Sequence, residues 1–358
     1  MNDRAIDDLT LLLPSLLDCL DALAHIARQL DPTRFDAVLA SVGEPDAQLR
    51  SAQQTLGDWP EHLAGLRARI ETAIDATLEA FAGLRAAPDA FDGLRAILRA
   101  LKHAPRALDA LYPLARGLPP VSRFFLEPEA RGYAAIEARL ARAHDGDECG
   151  VFHSGETPGA RGGFSLYVPE YYTPDRAWPL VMALHGGSGD GFSFLWSWLP
   201  AARAHGAIVV APSSVGRSWA LAGEDVDTPN IQRILARVRE HYSVDAKRVL
   251  LTGMSDGGTF CYVSGLEPSS PFTHLAPVSA AFLSILADMA DPERVSGLPI
   301  RIIHGAFDWM FPVAVARDAQ RALSAAGAQV AYREIADLSH CYPREENAEI
   351  LRWLEAAP

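Results

Sequence analysis

Apolar residues in the first part of the chain recur at helical spacing. One series alternates steps of three and four residues, and so places its members on one face of a helix: Ile6, Leu9, Leu13, Leu16, Leu20 and Leu23. A second series has the same period: Leu63, Leu66, Ile70, Ile74, Leu78, Phe81 and Leu84. Prolines at 32, 45, 88 and 105 are typical of helix starts, where the missing N–H is tolerated. Residues 1–145 are therefore predicted to be all-helical.

From residue 146 the pattern changes to short apolar runs separated by helical segments. The runs predict seven strands: Gly163–Val168, Pro179–Leu184, Ala207–Val210, Arg248–Thr252, Leu275–Val278, Pro299–Ile303 and Val330–Glu334. Helical patterns follow some of them, notably Asn230–Tyr242 and Val313–Ala326. Apolar strands that alternate with helices predict an α/β domain over residues 146–358, with a mostly parallel sheet buried on both faces.

Composition and charge limit the classes of function. A length of 358 residues favours two domains, and the hydrophobic fraction of 49% with 22% charged residues is typical of a soluble globular protein. The net charge of −13 argues against nucleic acid or an anionic membrane as the main partner. Four widely separated cysteines, without a C-x-x-C pair, indicate neither a zinc site nor a disulfide framework.

The N-terminal segment does not have the pattern of a secretory signal. Residues 9–17 are apolar, but Pro14 interrupts them and acidic residues flank them. No uncharged run reaches the length of a membrane span, so no integral membrane segment is expected. A cytoplasmic location is the resulting expectation.

The apolar run 250–252 leads into Gly253-Met254-Ser255-Asp256-Gly257, which matches the G-x-S-x-G pattern of a nucleophile elbow. Such an elbow exposes a serine hydroxyl at a tight strand-to-helix turn, where side chains at the two glycine positions would collide with backbone. A serine becomes a nucleophile only when a base lies beside it. Ser255 is therefore the candidate nucleophile.

A glycine-rich loop, His185-Gly-Gly-Ser-Gly-Asp-Gly191, follows the strand over 179–184. Backbone N–H groups in such a loop are free to stabilise the oxyanion that develops in acyl transfer. Gly187 is the preferred first donor, with Gly186 and Ser188 as alternatives, and the amide of Asp256 is the second. A phosphate-binding loop is disfavoured because no G-x-x-x-x-G-K pattern is present.

Two further strands lead to an acid and a base. Asp308 follows the strand over 299–303, and His340 follows the final strand, so the chain order is Ser, Asp, His. That order is the one found in hydrolases with this elbow. His340 is expected to act as general base and Asp308 to orient it. Asp337 is an alternative acid, and His185 and His304 are rival bases for which structural roles are favoured.

Several segments together resemble the α/β-hydrolase superfamily, in particular its phospholipase/carboxylesterase and polyhydroxybutyrate-depolymerase-like esterases. They are Ser165-Leu-Tyr-Val-Pro169, Leu184-His-Gly-Gly187, Asp245-Ala-Lys-Arg-Val249, Thr252-Gly-Met-Ser-Asp-Gly-Gly258, His304-Gly-Ala-Phe-Asp308 and Ser339-His340. The resemblance covers about residues 150–355. It implies a mostly parallel central sheet, a triad of Ser255, Asp308 and His340, and no cofactor or metal. Many relatives carry a small residue after the nucleophile, so Asp256 is a departure, and its carboxylate is expected to point away from the oxyanion.

Aromatic residues are frequent in the segments that follow the predicted strands, which favours an apolar pocket for the acyl or alcohol part of a substrate. Trp219, Trp309 and Tyr342 are the candidate pocket residues. The absence of a basic cluster in these segments disfavours a strongly anionic substrate. Ordinary core packing is the alternative interpretation for about half of the aromatic residues.

The sequence thus predicts a serine esterase that acts on a small-molecule carboxylic ester. A peptidase or thioesterase with the same triad is an alternative, because the nucleophile does not select the leaving group. A catalytically silent binding protein on the same fold is the other alternative. The N-terminal helices are interpreted as a cap, a surface for homo-oligomer formation, or an accessory domain.

Overall fold

The computed structural model describes residues 3–141 and 148–356. The chain divides into two compact units, Met1–Arg131 and Gly132–Pro358. The boundary predicted between residues 145 and 146 lies outside the described residues. The division comes earlier along the chain because the helix over Ala134–Ala141 belongs with the second unit, where Arg139 donates a hydrogen bond to the carbonyl of Ala204 and lies over the ring of Tyr171.

The described part of the first unit is helical, as the apolar spacing predicts. Its α-helices are α1 (Asp3–Arg28), α2 (Phe35–Val42), α3 (Asp46–Gln54), α4 (Ala64–Ala86), α5 (Gly93–Leu101), α6 (His103–Leu111) and α7 (Pro119–Phe124). Short 3₁₀ turns lie at Glu61–Leu63, Tyr112–Arg116 and Pro128–Ala130. Helix α4 packs against α1, α3, α5 and α6, and its buried Ile70, Ile74, Phe81 and Leu84 are members of the predicted apolar face.

Helix α1 continues through Pro14, as the apolar series from Ile6 to Leu23 predicts. A proline inside a helix costs roughly 3 kcal/mol because it removes one backbone hydrogen bond. Burial offsets that cost here, since Leu9, Leu13, Leu16 and their neighbours along the same face are almost inaccessible to solvent. Tertiary packing therefore outweighs the local preference at Pro14.

One helix in the described ranges is long and apolar enough to cross a membrane by length and composition alone. It is Arg4–Arg28 within α1, and half of its most apolar window is buried inside the protein. The sequence-based expectation of no membrane span considered only uncharged runs. This helix was not among them, because Asp18 and Asp21 lie within it. Its buried face packs on α3 and α4, which is the arrangement of a core helix in a helical unit.

The second unit is built on an eight-stranded sheet. Its strands are β1 (Gly150–His153), β2 (Phe164–Val168), β3 (Trp178–Leu184), β4 (Ile208–Pro212), β5 (Val244–Met254), β6 (His274–Val278), β7 (Pro299–Gly305) and β8 (Gln329–Ile335). The order across the sheet is β1-β2-β4-β3-β5-β6-β7-β8. Strands β1 and β2 pair antiparallel, as do β2 and β4, and every later neighbour is parallel. The predicted fold class, an α/β-hydrolase fold preceded by helices, is confirmed.

Helices connect the strands and cover the sheet. They are α8 (Ala134–Ala141), α9 (Gly191–His205), α10 (Asp227–His241), α11 (Asp256–Gly265), α12 (Ile285–Met289), α13 (Pro292–Val295), α14 (Ala314–Ala325) and α15 (Asn347–Ala356). Helix α9 packs on β2, β3 and β4, α11 packs on β5 and β6, and α14 packs on β7 and β8. Strands β3, β4 and β6 are buried along their whole length, as expected for a sheet covered on both faces.

The aromatic residues Phe192, Phe194, Trp196 and Trp198, which follow a predicted strand, lie on α9. Asp190 caps the helix by accepting a hydrogen bond from the amide of Ser193, and Gly206 ends it in the left-handed conformation. Trp196 and Trp198 are buried in the core, 2% and 0% exposed. These two indoles therefore pack the domain, as the alternative interpretation expects for part of the aromatic set.

Candidate active site

Ser255 occupies the turn between β5 and α11, in a backbone conformation that non-glycine residues seldom adopt. Its φ of 55° and ψ of −118° turn the chain sharply, and its amide donates a hydrogen bond to the carbonyl of Val278 on the neighbouring strand β6. The flanking glycines have no room for side chains. A Cβ on Gly253 would lie 2.5 Å from the backbone of Gly257, and one on Gly257 would lie 2.5 Å from the carbonyl oxygens of Leu184 and His185. The predicted reason for the G-x-S-x-G spacing is therefore visible at each glycine.

His340 joins Ser255 to Asp308 through two hydrogen bonds. Nε2 of His340 lies 3.0 Å from Oγ of Ser255, and Nδ1 lies 2.9 Å from Oδ2 of Asp308. An ionised carboxylate only accepts, so Nδ1 carries the imidazole proton and Nε2 is left to accept from the serine hydroxyl. The three residues that the sequence analysis selects thus converge at the carboxyl edge of the sheet, from loops after β5, β7 and β8.

The carboxylate of Asp308 is held on both oxygens. Oδ1 accepts hydrogen bonds from the amides of Met310 and Phe311, at 2.9 and 2.8 Å, while Oδ2 accepts from His340. Burial alone would raise the pKa of Asp308. The hydrogen bonds from His340 and Phe311, with the charge interactions of His340 and His304, outweigh burial and hold the pKa below its ordinary value. Asp308 is therefore an ionised, fixed partner for the imidazole.

The glycine-rich loop lies against the elbow. A Cβ on Gly186 would lie 3.7 Å from Cβ of Ser255. The carbonyl of Gly186 accepts hydrogen bonds from the amide of Gly189, at 3.0 Å, and from Nδ1 of His185, at 2.6 Å. Because the peptide is planar and trans, the N–H of Gly187 points to the opposite side from that carbonyl. Gly187 stays the predicted first donor.

The second predicted donor is the amide of Asp256, the first residue of α11. The first N–H groups of a helix have no partner within the helix, and the helix dipole favours an anion at this end. An oxyanion between the amides of Gly187 and Asp256 would therefore meet donors from both the glycine-rich loop and the elbow.

The topology, the elbow and the sequence similarity agree on one superfamily. Residues 225–357 match the phospholipase/carboxylesterase family. The C-terminal unit has the α/β-hydrolase fold, and the residues that match the family lie within it. The resemblance in the sequence motifs is thus confirmed for this α/β-hydrolase unit, whereas the matched family residues include none of the helical unit.

One curated relative of the α/β-hydrolase unit is the bifunctional acetylxylan esterase/xylanase XynS20E of Neocallimastix patriciarum. It is 30% identical over 155 residues, which are 42% of this chain and 22% of the relative. The chain thus spans about a fifth of the length of this relative.

Solved structures of esterases and hydrolases are also similar to this chain. A thermostable esterase has a TM-score of 0.43 at 22% identity and covers 58% of this chain and 60% of its own. The fluorophosphonate-binding serine hydrolase F of Staphylococcus aureus has a TM-score of 0.45 at 18% identity and covers 58% of this chain and 98% of its own.

The rival acid and bases of the sequence analysis are not part of the hydrogen-bonded series from Ser255 through His340 to Asp308, although His304 borders Asp308. Asp337 is exposed, whereas Asp308 is buried beside the imidazole. Nε2 of His185 accepts a hydrogen bond from the amide of Ser214, so this imidazole supports the glycine-rich loop. His304 is buried and donates from Nε2 to the carbonyl of Phe311 at 2.8 Å, with the same nitrogen 3.4 Å from Oδ2 of Asp308. Both histidines thus have the structural positions that the sequence analysis favours.

The sequence predicts that the carboxylate of Asp256 points away from the oxyanion. In the structure it points toward the glycine-rich loop instead. It lies over Gly187, where a Cβ would meet Oδ2 at 2.7 Å, and it accepts a short hydrogen bond from the hydroxyl of Ser218. Ser218, in the loop after β4, holds the carboxylate in that position. The sequence analysis does not identify Ser218, because no local pattern connects it to the elbow.

The three candidate pocket residues have different environments. Trp219 is 4% exposed, stacks on Phe260 and donates from Nε1 to the carbonyl of His185, so it is a core residue that supports the loop. Tyr342 packs its ring edge-to-face against Phe194 and donates its hydroxyl to Asn347, and burial raises its pKa well above the ordinary value. Trp309 is 42% exposed, with its ring centroid 5.8 Å from that of His340. Trp309 alone of the three is open to solvent beside the imidazole.

Residues 3–141 and 148–356 contain no group of three or more His, Cys, Asp or Glu side chains arranged to hold a metal ion. Burial raises the pKa of Cys261, on α11, above its ordinary value. A buried thiol with a raised pKa is a poor nucleophile.

Proposed function

We propose that this protein is a serine hydrolase that cleaves carboxylic esters through an acyl-enzyme intermediate, with Ser255, His340 and Asp308 as its triad. The observation that carries the proposal is the continuous hydrogen-bonded series from Oγ of Ser255 through the imidazole of His340 to the carboxylate of Asp308. A neutral, oriented imidazole beside a serine hydroxyl is the arrangement that makes the serine nucleophilic.

In the first half-reaction Oγ of Ser255 attacks the ester carbonyl while its proton moves to Nε2 of His340. The negative charge that forms on the carbonyl oxygen is stabilised by the amides of Gly187 and Asp256. The carbon–oxygen bond to the alcohol then breaks, and the alcohol oxygen takes the proton from Nε2. The ionised Asp308 stabilises the imidazolium during both proton movements.

In the second half-reaction water attacks the acyl-enzyme and gives a proton to Nε2 of His340. The acyl carbon–Oγ bond breaks, Ser255 recovers its proton from the imidazolium, and the carboxylic acid leaves. The reaction needs no residue beyond the triad and the two backbone donors. No step requires a metal ion or an organic cofactor.

The relative of Neocallimastix patriciarum is named an acetylxylan esterase, so acetyl is the first acyl group to test. Acetyl esters, acetyl thioesters and acetyl anilides then share the acyl group and differ in the leaving atom. We expect the ester to be hydrolysed fastest. A thioesterase or a peptidase with the same triad would instead prefer the thioester or the anilide, because each activity is defined by its leaving group. Comparable rates on anilide and ester would overturn the esterase assignment.

Ser255→Ala and Ser324→Ala form a matched pair for this panel, because Ser324 is an exposed serine on α14. Ser255→Ala is expected to lower kcat by several orders of magnitude, on the scale of other triad deletions, whereas Ser324→Ala retains the wild-type rate. Full ester turnover by Ser255→Ala would show that the activity has another source. Absence of turnover in the wild-type protein on all three substrates would favour a silent binding protein.

A further inference from the structure

The segment between β7 and α14 carries three exposed apolar side chains around Asp308. Phe307 is 61% exposed, Trp309 42% and Met310 44%. The segment is nevertheless fixed: the amide of Phe307 donates to the carbonyl of Leu338, and Oδ1 of Asp308 accepts from the amides of Met310 and Phe311. These apolar side chains are therefore presented to solvent by a backbone that is hydrogen-bonded on both sides of the acid.

Two aromatic rings flank the imidazole of His340. The ring of Phe311 lies 5.3 Å away at 83°, and that of Trp309 lies 5.8 Å away at 69°. The carbonyl of Phe311 is held by His304, and Phe311 is only half-buried. Trp309 is thus an exposed side chain in direct contact with the group that exchanges protons with the substrate.

The position of Trp309 beside His340 associates it with the alcohol part of a bound ester. The leaving alcohol takes its proton from Nε2 of His340, so its oxygen must come within hydrogen-bond distance of that nitrogen. A substituent on this oxygen then extends along the surface that borders the imidazole. Trp309 lies on that surface, with Phe307 and Met310 beside it in the chain.

The neighbouring segment has the same chemical character. The stretch after the adjacent strand β6 exposes Leu283 (68%), Ile285 (54%) and Met289 (78%). Neither residues 279–291 nor residues 305–312 contain a lysine or an arginine, whereas Asp288 and Asp291 lie in the first stretch. Exposed apolar side chains in two segments that lack lysine and arginine favour an uncharged apolar group over an anionic one.

We propose that Trp309 binds the alcohol part of the ester and selects apolar, uncharged alcohols. This inference rests on the proposed ester hydrolysis. It deepens that proposal, because the triad itself does not distinguish one alcohol from another. A carbohydrate alcohol is the competing class, because the C–H face of a sugar ring can also stack on an exposed indole, and the substrate panel separates the two.

The test uses acetyl esters of alkyl alcohols whose acidity is similar, so that leaving-group reactivity does not vary. In the wild-type protein, kcat/KM for 2-phenylethyl acetate is expected to exceed that for 2-methoxyethyl acetate by about tenfold or more. Trp309→Ala is expected to reduce this preference to within about twofold, while Trp309→Phe retains most of it. Phe91→Ala, which removes a fully exposed aromatic ring of the helical unit, is the matched control and leaves the preference unchanged.

A second series separates the alcohol side from the acyl side. Methyl esters of acetate, butyrate and hexanoate vary only the acyl group, and Trp309→Ala is expected to leave their relative kcat/KM values unchanged. A changed acyl preference, an equal loss on every ester, or a preference for acetylated xylo-oligosaccharides that Trp309→Ala removes would each overturn the inference.

The two proposals fail in different ways. If the wild-type protein hydrolyses none of the esters, ester hydrolysis itself is wrong. If it hydrolyses all of them at similar kcat/KM, only the selection by Trp309 is wrong. Labelling of Ser255 by a fluorophosphonate in Trp309→Ala checks that the nucleophile of the variant is intact.

Discussion

Nδ1 of His340 lies 2.9 Å from Oδ2 of Asp308, and both side chains are shielded from water, with exposed fractions of 7% and 0%. In this environment the carboxylate cannot exchange its imidazole contact for solvent without breaking the loop that holds it. The amides of Met310 and Phe311 fix its other oxygen. The tautomer of His340 is therefore set by the loop after β7, and the availability of Nε2 to Ser255 depends on it.

Replacement of Asp308 by asparagine tests this dependence. The amide is nearly isosteric, but it can donate where the carboxylate only accepts, so it no longer imposes a proton on Nδ1. We expect kcat for an acetyl ester to fall by a factor on the order of 10⁴ with little loss of folding. Asp337→Asn is the matched control, since Asp337 is an exposed carboxylate shortly before His340, and it should stay within about twofold of the wild type. A large loss for Asp337→Asn with a small one for Asp308→Asn would reverse the assignment of the acid.

Gly253→Ala is expected to destabilise the elbow. A Cβ at this position would meet the backbone of Gly257 at 2.5 Å and Cβ of Leu184 at 2.8 Å, and backbone cannot rotate aside as a side chain can. Overpacking of this kind costs roughly 1 to 3 kcal/mol. Gly65→Ala in α4 is the control, because nothing lies within 4 Å of its Cβ position. Urea unfolding of both variants measures the difference, and equal stability of the two would contradict the crowding at the elbow.

Asp256→Asn removes a negative charge next to the glycine-rich loop while it leaves an acceptor for Ser218. Because a carboxylate opposes a developing oxyanion nearby, we expect kcat/KM for a neutral ester to rise by a few fold. Ser218→Ala, which breaks the same hydrogen bond without a change of charge, should not raise it. A fall of tenfold or more in Asp256→Asn would instead show that the carboxylate assists the reaction.

The buried His274, at the start of β6, is expected to make the folded protein less stable in mild acid. Burial lowers its pKa from 6.5 to about 4, and its Nε2 has no hydrogen-bond partner in the described ranges. Between these two values the unfolded chain binds the proton more readily than the folded one, so stability falls as the pH decreases through this window. The expected loss from pH 7.5 to 4.5 is about 2 to 3 kcal/mol for this single group.

His274→Phe should remove most of that loss, because phenylalanine does not titrate and can pack beside Trp353 as the imidazole does, although it gives up the hydrogen bond between Nδ1 and the hydroxyl of Thr273. Denaturant unfolding at pH 7.5 and 4.5 measures the change. His62→Phe, at an exposed position, is the control and should retain the wild-type dependence on pH. An unchanged acid sensitivity in His274→Phe would show that other groups cause it.

Much of the α/β-hydrolase unit follows from the sequence because its strands are buried apolar runs. Seven of the eight strands lie where the runs predict them, with ends that differ by a few residues. Strand β1 was missed, because four residues at the sheet edge with partial burial give little apolar signal. Ser255, Asp308 and His340 each follow a strand directly, so the parallel topology alone brings their loops to one edge.

The rest depends on packing between segments that are distant in sequence. The orientation of Asp256 is set by Ser218, which lies 38 residues away in the chain. The role of Trp219 comes from the carbonyl of His185 and the ring of Phe260, neither of which is local to it. A local pattern contains none of these contacts.

The most direct test of the account is the site of covalent labelling by a fluorophosphonate. The wild-type protein is treated with the reagent, digested and analysed by peptide mass spectrometry, with His340→Gln as the variant that lacks the base. The account predicts one phosphonylated residue, Ser255, and a rate of labelling that falls by orders of magnitude in His340→Gln. An unlabelled Ser255, or labelling that does not depend on His340, would contradict it.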